Sequence, residues 1–205
     1  MPKVVGLRER LHKPFYDTLI REDQNIAPVT TLSQTTKLFA SGVKLSNVEW
    51  TNMATAGALA SDQTMVILAM RCLLWFKGNF AMNMYKLCAH QLYLNLYVGD
   101  KSMFLSPCWM FPAGGGIDAS IGGSDDSVAN NGVASQESIL KFAKAIPVPA
   151  RQHFYVEATF YDTGNTSVRV DYLNQKSIMV GQVDTPVGMR SIQVYLDGLN
   201  TRDVQ

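Results

Sequence analysis

The stretch ILKFAKAIPVPARQHFYVEATFYDTGNTSVRVDYL, residues 139–173, decides the fold, because it is typical of three successive β-strands. In its middle part, 153–161, apolar and polar residues alternate. Such a period of two indicates a strand with one buried face, since successive side chains of a strand point to opposite sides. The alternation resumes at 168–172 after the turn residues 162–165, which predicts a β-hairpin.

The inward side chains of these strands, with those of a final strand at 190–197, form the predicted core of the sandwich. They are Phe154, Val156, Ala158, Phe160, Val168, Val170, Ile192, Val194 and Leu196. Upstream, Pro147 and Pro149 exclude a helix, because proline lacks the backbone donor. We therefore expect residues 147–151 to form a corner between neighbouring strands of one sheet.

Further strands are predicted along the rest of the chain. The segment 64–77 is nearly all apolar, which favours a long strand buried on both faces. The other predicted strands are 91–98, 102–106, 139–146, 153–162, 166–173, 177–182 and 190–197. A short helix is expected at 81–89, and edge strands at 36–39 and 48–50. Because strands and helices do not alternate regularly, we expect an all-β fold, an antiparallel eight-stranded jelly-roll β-sandwich.

Length and composition indicate one domain with an extension. Of the 205 residues, 47% are hydrophobic and 17% are charged, which fits either a large core or a surface covered by neighbouring chains. We expect an extended N-terminal arm at 1–35, a single jelly-roll domain at 36–205 and a long Gly/Ser-rich loop at 112–137. Candidates for contact with a neighbouring subunit or a polyanion are the basic residues of the arm, Lys3, Arg8, Arg10 and Lys13.

The sequence lacks the groupings that catalysis or a cofactor would require. Residues 114–119 loosely match a dinucleotide-binding pattern, but no clear strand precedes them and no helix follows. The histidines His12, His90 and His153 stand in separate contexts, and no pair has ligand spacing. Asp125 and Asp126 could ligate calcium, although their place in a long loop favours a solvated acidic loop instead. We therefore expect no enzyme, no cofactor and no metal.

Cysteine usage and hydropathy bound the environment of the protein. Cys72, Cys88 and Cys108 are an odd number of thiols without metal-binding spacing, which favours buried thiols over a disulfide framework. Cys88 and His90 would share one face if they lay on a strand. The longest apolar run, 65–76, is too short to span a membrane and contains Arg71. The N-terminus has no apolar signal segment, so we expect no secretory signal.

Three pieces of sequence follow one another in an informative order. They are TNMATAGALASDQTMVILAMRCLLWF at 51–76, PAGGGI at 112–117 followed by a Gly/Ser loop and KAIPVPARQHFYVEATFY at 144–161, and YLDGLNTRDVQ at 195–205. In this order and spacing the chain resembles bacteriophage structural proteins built on a single jelly roll. The resemblance covers most of residues 50–205 and implies a capsid protein of a virion.

The resemblance implies a protein that self-assembles into a capsid shell through contacts of its arm and loops. Its partners would be copies of itself and other virion proteins, with genome contact by the arm as a weaker expectation. It would be located in the virion, after assembly in the host cytoplasm, and would act on no small-molecule substrate.

The alternative function is a carbohydrate- or receptor-binding β-sandwich module of a virion. Four tyrosines alternate with apolar residues on the predicted strands: Tyr93, Tyr97, Tyr155 and Tyr161. Facing solvent, they would line a sugar-binding or subunit surface; facing inward, they would pack against the second sheet. The phase of a strand does not distinguish these two arrangements.

Overall fold

The computed structural model describes residues 8–21, 35–40, 51–53, 57–77, 81–120, 127–130, 139–160 and 189–203. These residues form antiparallel β-sheets, one of which curls into a half-barrel, so the all-β prediction is confirmed. The eight-stranded jelly roll stays a prediction. Its strands at 166–173 and 177–182, the hairpin turn at 162–165 and the edge strand at 48–50 lie outside the described residues.

The described elements are, in chain order, β1 (Arg8–His12), β2 (Phe15–Arg21), β3 (Thr35–Leu38), β4 (Gln63–Lys77), α1 (Ala81–Gln91), β5 (Leu92–Val98), β6 (Lys101–Pro107), a 3-10 turn (Cys108–Met110), β7 (Asp118–Ser120), β8 (Ser127–Ala129), β9 (Lys141–Val148), β10 (Phe154–Phe160) and β11 (Met189–Asp203). The predicted helix after the long apolar strand is therefore present.

A seven-stranded sheet is built around the two longest strands, β4 and β11. They pair antiparallel over almost their whole length, from Met189 opposite Phe76 to Arg202 opposite Gln63. β1 and β2 lie beyond β11, whereas β8 and β9 lie beyond β4, with β7 next to β8. The apolar strand is buried on one face only, because Leu68 and Trp75 on its outer side are 38% and 45% exposed.

The second sheet has four strands in the order β3-β10-β5-β6. Its inward residues meet those of the large sheet in one core. The residues of the predicted core that are buried are Phe154, Val156, Ala158, Ile192, Val194 and Leu196. Val168 and Val170 lie outside the described residues, as does the side chain of Phe160.

The corner at 147–151 joins two different sheets, so its predicted place between neighbours of one sheet is wrong. β9 before the corner pairs with β4 of the large sheet, whereas β10 after it pairs with β3 and β5 of the small sheet. The Gln152 amide donates to the Pro149 carbonyl at 3.2 Å, and Arg151 has φ of 62°. This tight turn lets the chain cross the core edge instead of doubling back within one sheet.

Residues 8–21, assigned to the arm by the sequence, are strands of the large sheet. β1 and β2 pair with β11, and the register is kept from one strand to the next, with His12 opposite Leu199 and Phe15 opposite Leu196. It shifts only further along β2, between Ile192 and Gln193. Pro14 falls between them, where its missing amide interrupts the ladder without displacing the chain. Pro14 thus marks a break within a long edge of the sheet.

The predicted loop at 112–137 contains two short strands, β7 and β8. β8 pairs with the end of β4 through Trp75, Phe76 and Lys77. Next to it, the Asn130 side chain continues the pairing: its Oδ1 accepts from the Leu74 amide at 2.8 Å, and its Nδ2 donates to the Cys72 carbonyl at 2.8 Å. Glycine-rich sequence hid these strands, because they are held by the edge of β4 rather than by their own propensity.

A buried carboxylate ties the large sheet to the end of β3. Asp17 on β2 is 3% exposed and accepts from the amides of Thr18 at 2.9 Å and Phe39 at 2.7 Å. Phe39 has φ of 66°, a left-handed conformation that is rare for a bulky residue. Its carbonyl accepts from the Gly57 amide at 2.5 Å, so hydrogen bonds at both ends hold this conformation in place.

Candidate interaction surface

The described residues contain no centre built for metal binding. Within these ranges, no group of three or more histidine, cysteine, aspartate or glutamate side chains could hold a metal ion. The exposed histidines stand on separate elements: His12, His90 and His153. Cys88 and His90 lie on α1 rather than on a strand, with the thiol buried and the imidazole exposed. The calcium hypothesis for Asp125 and Asp126 falls outside the described residues.

The basic residues of the predicted arm do not gather at one described site. Arg8 and Arg10 are exposed on β1, at the end of the large sheet. The Lys13 ammonium lies 5.9 Å from the centre of the Phe15 ring, and Lys3 is outside the described residues. Charged side chains on an edge strand discourage pairing with a strand of another chain. Contact of these residues with a polyanion stays a prediction.

The outer side of the small sheet carries the predicted tyrosines, and we call Tyr93, Tyr97 and Tyr155 the tyrosine face. Their neighbours along β5 and β10 are buried, so the tyrosines point away from the large sheet. Tyr97 lies directly opposite Tyr155, and their rings stack with centres 4.9 Å apart and planes 14° apart. The structure thus shows that these three tyrosines face outward, which the phase of the strands alone does not decide. Tyr161 lies outside the described residues.

Polar groups surround the tyrosine face. The Lys37 ammonium stands 4.4 Å from the centre of the Tyr155 ring and 3.7 Å from the Glu157 carboxylate. The Ser102 hydroxyl donates to the side-chain Oδ1 of Asn95 at 2.7 Å. Aromatic rings flanked by such groups suit recognition of an amphipathic surface, since rings offer apolar area and their neighbours offer hydrogen bonds.

The sequence did not predict the contacts of Arg71 on the outer side of the large sheet. The Arg71 guanidinium donates to both Asp197 carboxylate oxygens, at 2.5 and 2.9 Å, and to the Ala113 carbonyl at 3.1 Å. The Tyr195 ring lies 5.2 Å from it and 5.5 Å from the Tyr16 ring. A lone arginine within an apolar strand was the signal for a partner on another strand. Through these three hydrogen bonds Arg71 holds β4 to β11 and to the segment around Ala113.

The segment that ends the small sheet exposes large apolar side chains. Leu105 on β6 and Trp109 in the following 3-10 turn are each 55% exposed. We call these two residues the β6 patch. β6 is the last strand of its sheet, so the patch lies at an edge. Large apolar side chains exposed at a sheet edge favour contact with another chain.

An apolar groove of about 750 Å³ lies between β6 and β9, on the open side of the sandwich. Its walls belong to different sheets, because β6 pairs with β5 and β9 pairs with β4. Phe104 and Phe142 bridge the two strands, with ring centres 5.4 Å apart. The sequence did not predict this groove, since it depends on which strands end the sheets.

Comparison with known proteins gives this chain no family. No protein-family model matches it, and no curated protein matches it either. No helix among the described residues has the length and apolar character needed to cross a membrane.

The thiols of Cys72 and Cys108 meet inside the core. Cys72 is on β4 and Cys108 begins the 3-10 turn after β6, and both are buried. A hydrogen bond to Cys72, together with burial, raises the pKa of the Cys108 thiol well above its ordinary value. Burial also raises the pKa of Tyr85 and Tyr195 above the ordinary value for a phenol.

We predict that alkaline pH destabilises the protein through Cys108. Its thiol is held protonated in the folded state, so its contribution is fully present below the ordinary pKa of 9.0 and is lost as pH rises above it. Above that pH, Cys108 alone lowers the free energy of unfolding by up to about 1.4 kcal/mol per pH unit. Urea unfolding between pH 7 and 10, in reducing buffer, should show a shallower decline for Cys108→Ala. Equal slopes for the two proteins would contradict the prediction.

Proposed function

We propose that this chain is a structural subunit of a bacteriophage capsid, with a single jelly-roll fold, that assembles with copies of itself and other virion proteins. Support comes first from the β6 patch, because two large apolar side chains stand more than half exposed at a sheet edge. A free monomer gains little from such a patch, whereas a neighbouring subunit would bury it.

The composition and the tyrosine face agree with this proposal. Charged residues make up 17% of the chain, below the usual quarter, so less of the surface depends on ionic groups. The stacked pair Tyr97 and Tyr155 offers rigid aromatic area next to Lys37 and Glu157, a combination common at protein interfaces. The subunit contacts we assign are therefore the β6 patch and the tyrosine face, in addition to the predicted loop contacts.

We predict that the β6 patch controls assembly. The variant Leu105→Ser with Trp109→Ser removes apolar area that a neighbour would cover, so it should shift the protein from multimers to monomers. An apparent association constant at least about tenfold weaker is expected for two exposed anchor residues. Size-exclusion chromatography with light scattering, followed by electron microscopy, measures the change.

The matched control for this experiment is Leu68→Ser. Leu68 is 38% exposed on the outer side of the large sheet, away from β6. The Leu68→Ser variant should leave assembly unchanged, and circular dichroism should show that all variants fold. A wild-type protein that stays monomeric at high concentration, or a patch variant that assembles like the wild type, would refute the proposal.

A second candidate function is a carbohydrate- or receptor-binding module of a virion. The observation that favours it is the stacked pair Tyr97 and Tyr155, because sugar rings pack on aromatic faces and the nearby Asn95 and Ser102 offer polar contacts. Glycan-array binding that disappears in Tyr97→Ala would support this candidate over assembly. Assembly without glycan binding would exclude it.

A further inference from the structure

The groove between β6 and β9 runs along the edge of a strand. Consecutive residues from Leu140 to Pro147 line it. Successive side chains of a strand point to opposite faces, so a cavity beside one face would contact every second residue. Because every residue from 140 to 147 lines the groove, the backbone edge of β9 faces it.

Among the described strands, the groove-facing edge of β9 has no partner, because β4 pairs with the opposite edge. In the ladder with β4, β9 is paired at Lys141 and again at Ile146, Pro147 and Val148. The register shifts between these points, so β9 bulges at 142–145 on the side of β4. Among the described strands, β9 pairs with β4 alone and β6 with β5 alone. A strand edge left open in this way is a template for another strand.

The groove is apolar inside and positively charged around it. Its apolar lining includes Met103, Phe104, Met110, Leu140, Phe142 and Ile146. The charged lining residues are Lys101, Lys141 and Lys144, all exposed, and no acidic side chain is among the described residues that line it. Several of the apolar residues also pack on the core, so the groove opens onto the side of the sandwich.

We propose that this groove binds an extended acidic segment of another protein chain, which adds as a strand to the edge of β9. The backbone of the segment would pair with the open edge of β9, its apolar side chains would enter the groove, and its carboxylates would meet the three lysines. A peptide fits better than a lipid, because a hydrocarbon chain would leave the open backbone groups of β9 unpaired. The inference does not depend on the proposed capsid function, since a monomer would carry the same groove.

The first experiment identifies a peptide that binds the groove. A displayed library of random nine-residue peptides is panned on the wild-type protein, with removal of peptides that also bind Lys141→Glu/Lys144→Glu. Enriched peptides should alternate apolar residues with aspartate or glutamate. Enrichment of no sequence, or of sequences without carboxylates, would overturn the proposal.

Fluorescence anisotropy of the best peptide then separates the possible causes of binding. The charge-reversed variant should bind at least tenfold more weakly, whereas Lys13→Glu/Lys86→Glu, which makes the same change in net charge at exposed sites off the groove, should bind as the wild type does. N-methylation of alternate peptide amides should also weaken binding at least tenfold, because a methylated amide cannot donate to β9. Binding that survives N-methylation, or peptide displacement by dodecanoate at low micromolar concentration, would show a lipid-type pocket and overturn strand addition.

Discussion

The variant Gly198→Ala should lose about 3 kcal/mol of its free energy of unfolding, the upper part of the range for overpacked interiors. A β-carbon at this position would lie 2.2 Å from the Val66 carbonyl oxygen and 3.0 Å from the Val66 carbonyl carbon. Both are backbone atoms of β4, so a side-chain rotation gives no relief. The β-bulge between Asp197 and Gly198 brings β11 this close to β4 in the middle of the longest ladder.

Gly116→Ala is the matched control, since its β-carbon would have no heavy atom within 4 Å. Its stability should change by less than about 1 kcal/mol in either direction. Urea unfolding followed by circular dichroism and tryptophan fluorescence gives both values. A Gly198→Ala protein that unfolds at the same midpoint as Gly116→Ala would mean that β4 and β11 do not approach in this register.

Phe154→Ala should cost about 3–5 kcal/mol, the usual range for deleting a buried phenylalanine ring. Phe154 is fully buried, and its ring lies 6.4 Å from that of Phe15 and 6.0 Å from that of Phe39. It thus joins β2 of the large sheet, β10 of the small sheet and the strained residue after β3. No exposed group can fill the space, so a cavity remains at the centre of the sandwich.

The next residue along β10 supplies the comparison. Tyr155→Ala removes a ring of similar size from the outer side and should cost roughly 1–2 kcal/mol, from its contacts with Tyr97 and Lys37. If Phe154→Ala does not fold, Phe154→Leu should still be less stable than the wild type by about 1–1.5 kcal/mol. Equal losses for the two alanine variants would contradict the inward and outward assignment of β10.

The period-two patterns predicted a strand and its buried face correctly where one side of the strand faces the core and the other side faces solvent. Phe154, Val156 and Ala158 are buried, and the alternation alone indicates it. The long apolar strand was also visible, but its outer exposure was not, because Leu68 and Trp75 are as apolar as its core residues. The hydrophobic content of a strand indicates that it lies in the middle of a sheet. It does not show whether the second face of the strand is covered.

The surfaces depended on long-range pairing, which local pattern does not contain. Arg71 and Asp197 meet because β4 and β11 pair across 126 residues of sequence. The groove exists because β6 and β9 end different sheets, and the corner at 147–151 was assigned to one sheet for the same reason. Prolines and glycines mark where a strand stops, but the edge that receives the next strand is a property of the assembled sheet.

The position of β11 in the large sheet has a consequence for biosynthesis. This strand pairs with β1, β2 and β4, and the pairs reach from Arg8 to Asp203. A ribosome makes every other described strand before β11, so until then β1 and β2 lack the one described strand that pairs with them and β4 lacks its longest partner. Contacts of such sequence separation slow folding and prolong exposure of apolar strands. The nascent chain is therefore expected to fold only after β11 has left the exit tunnel, with a need for chaperones during that interval.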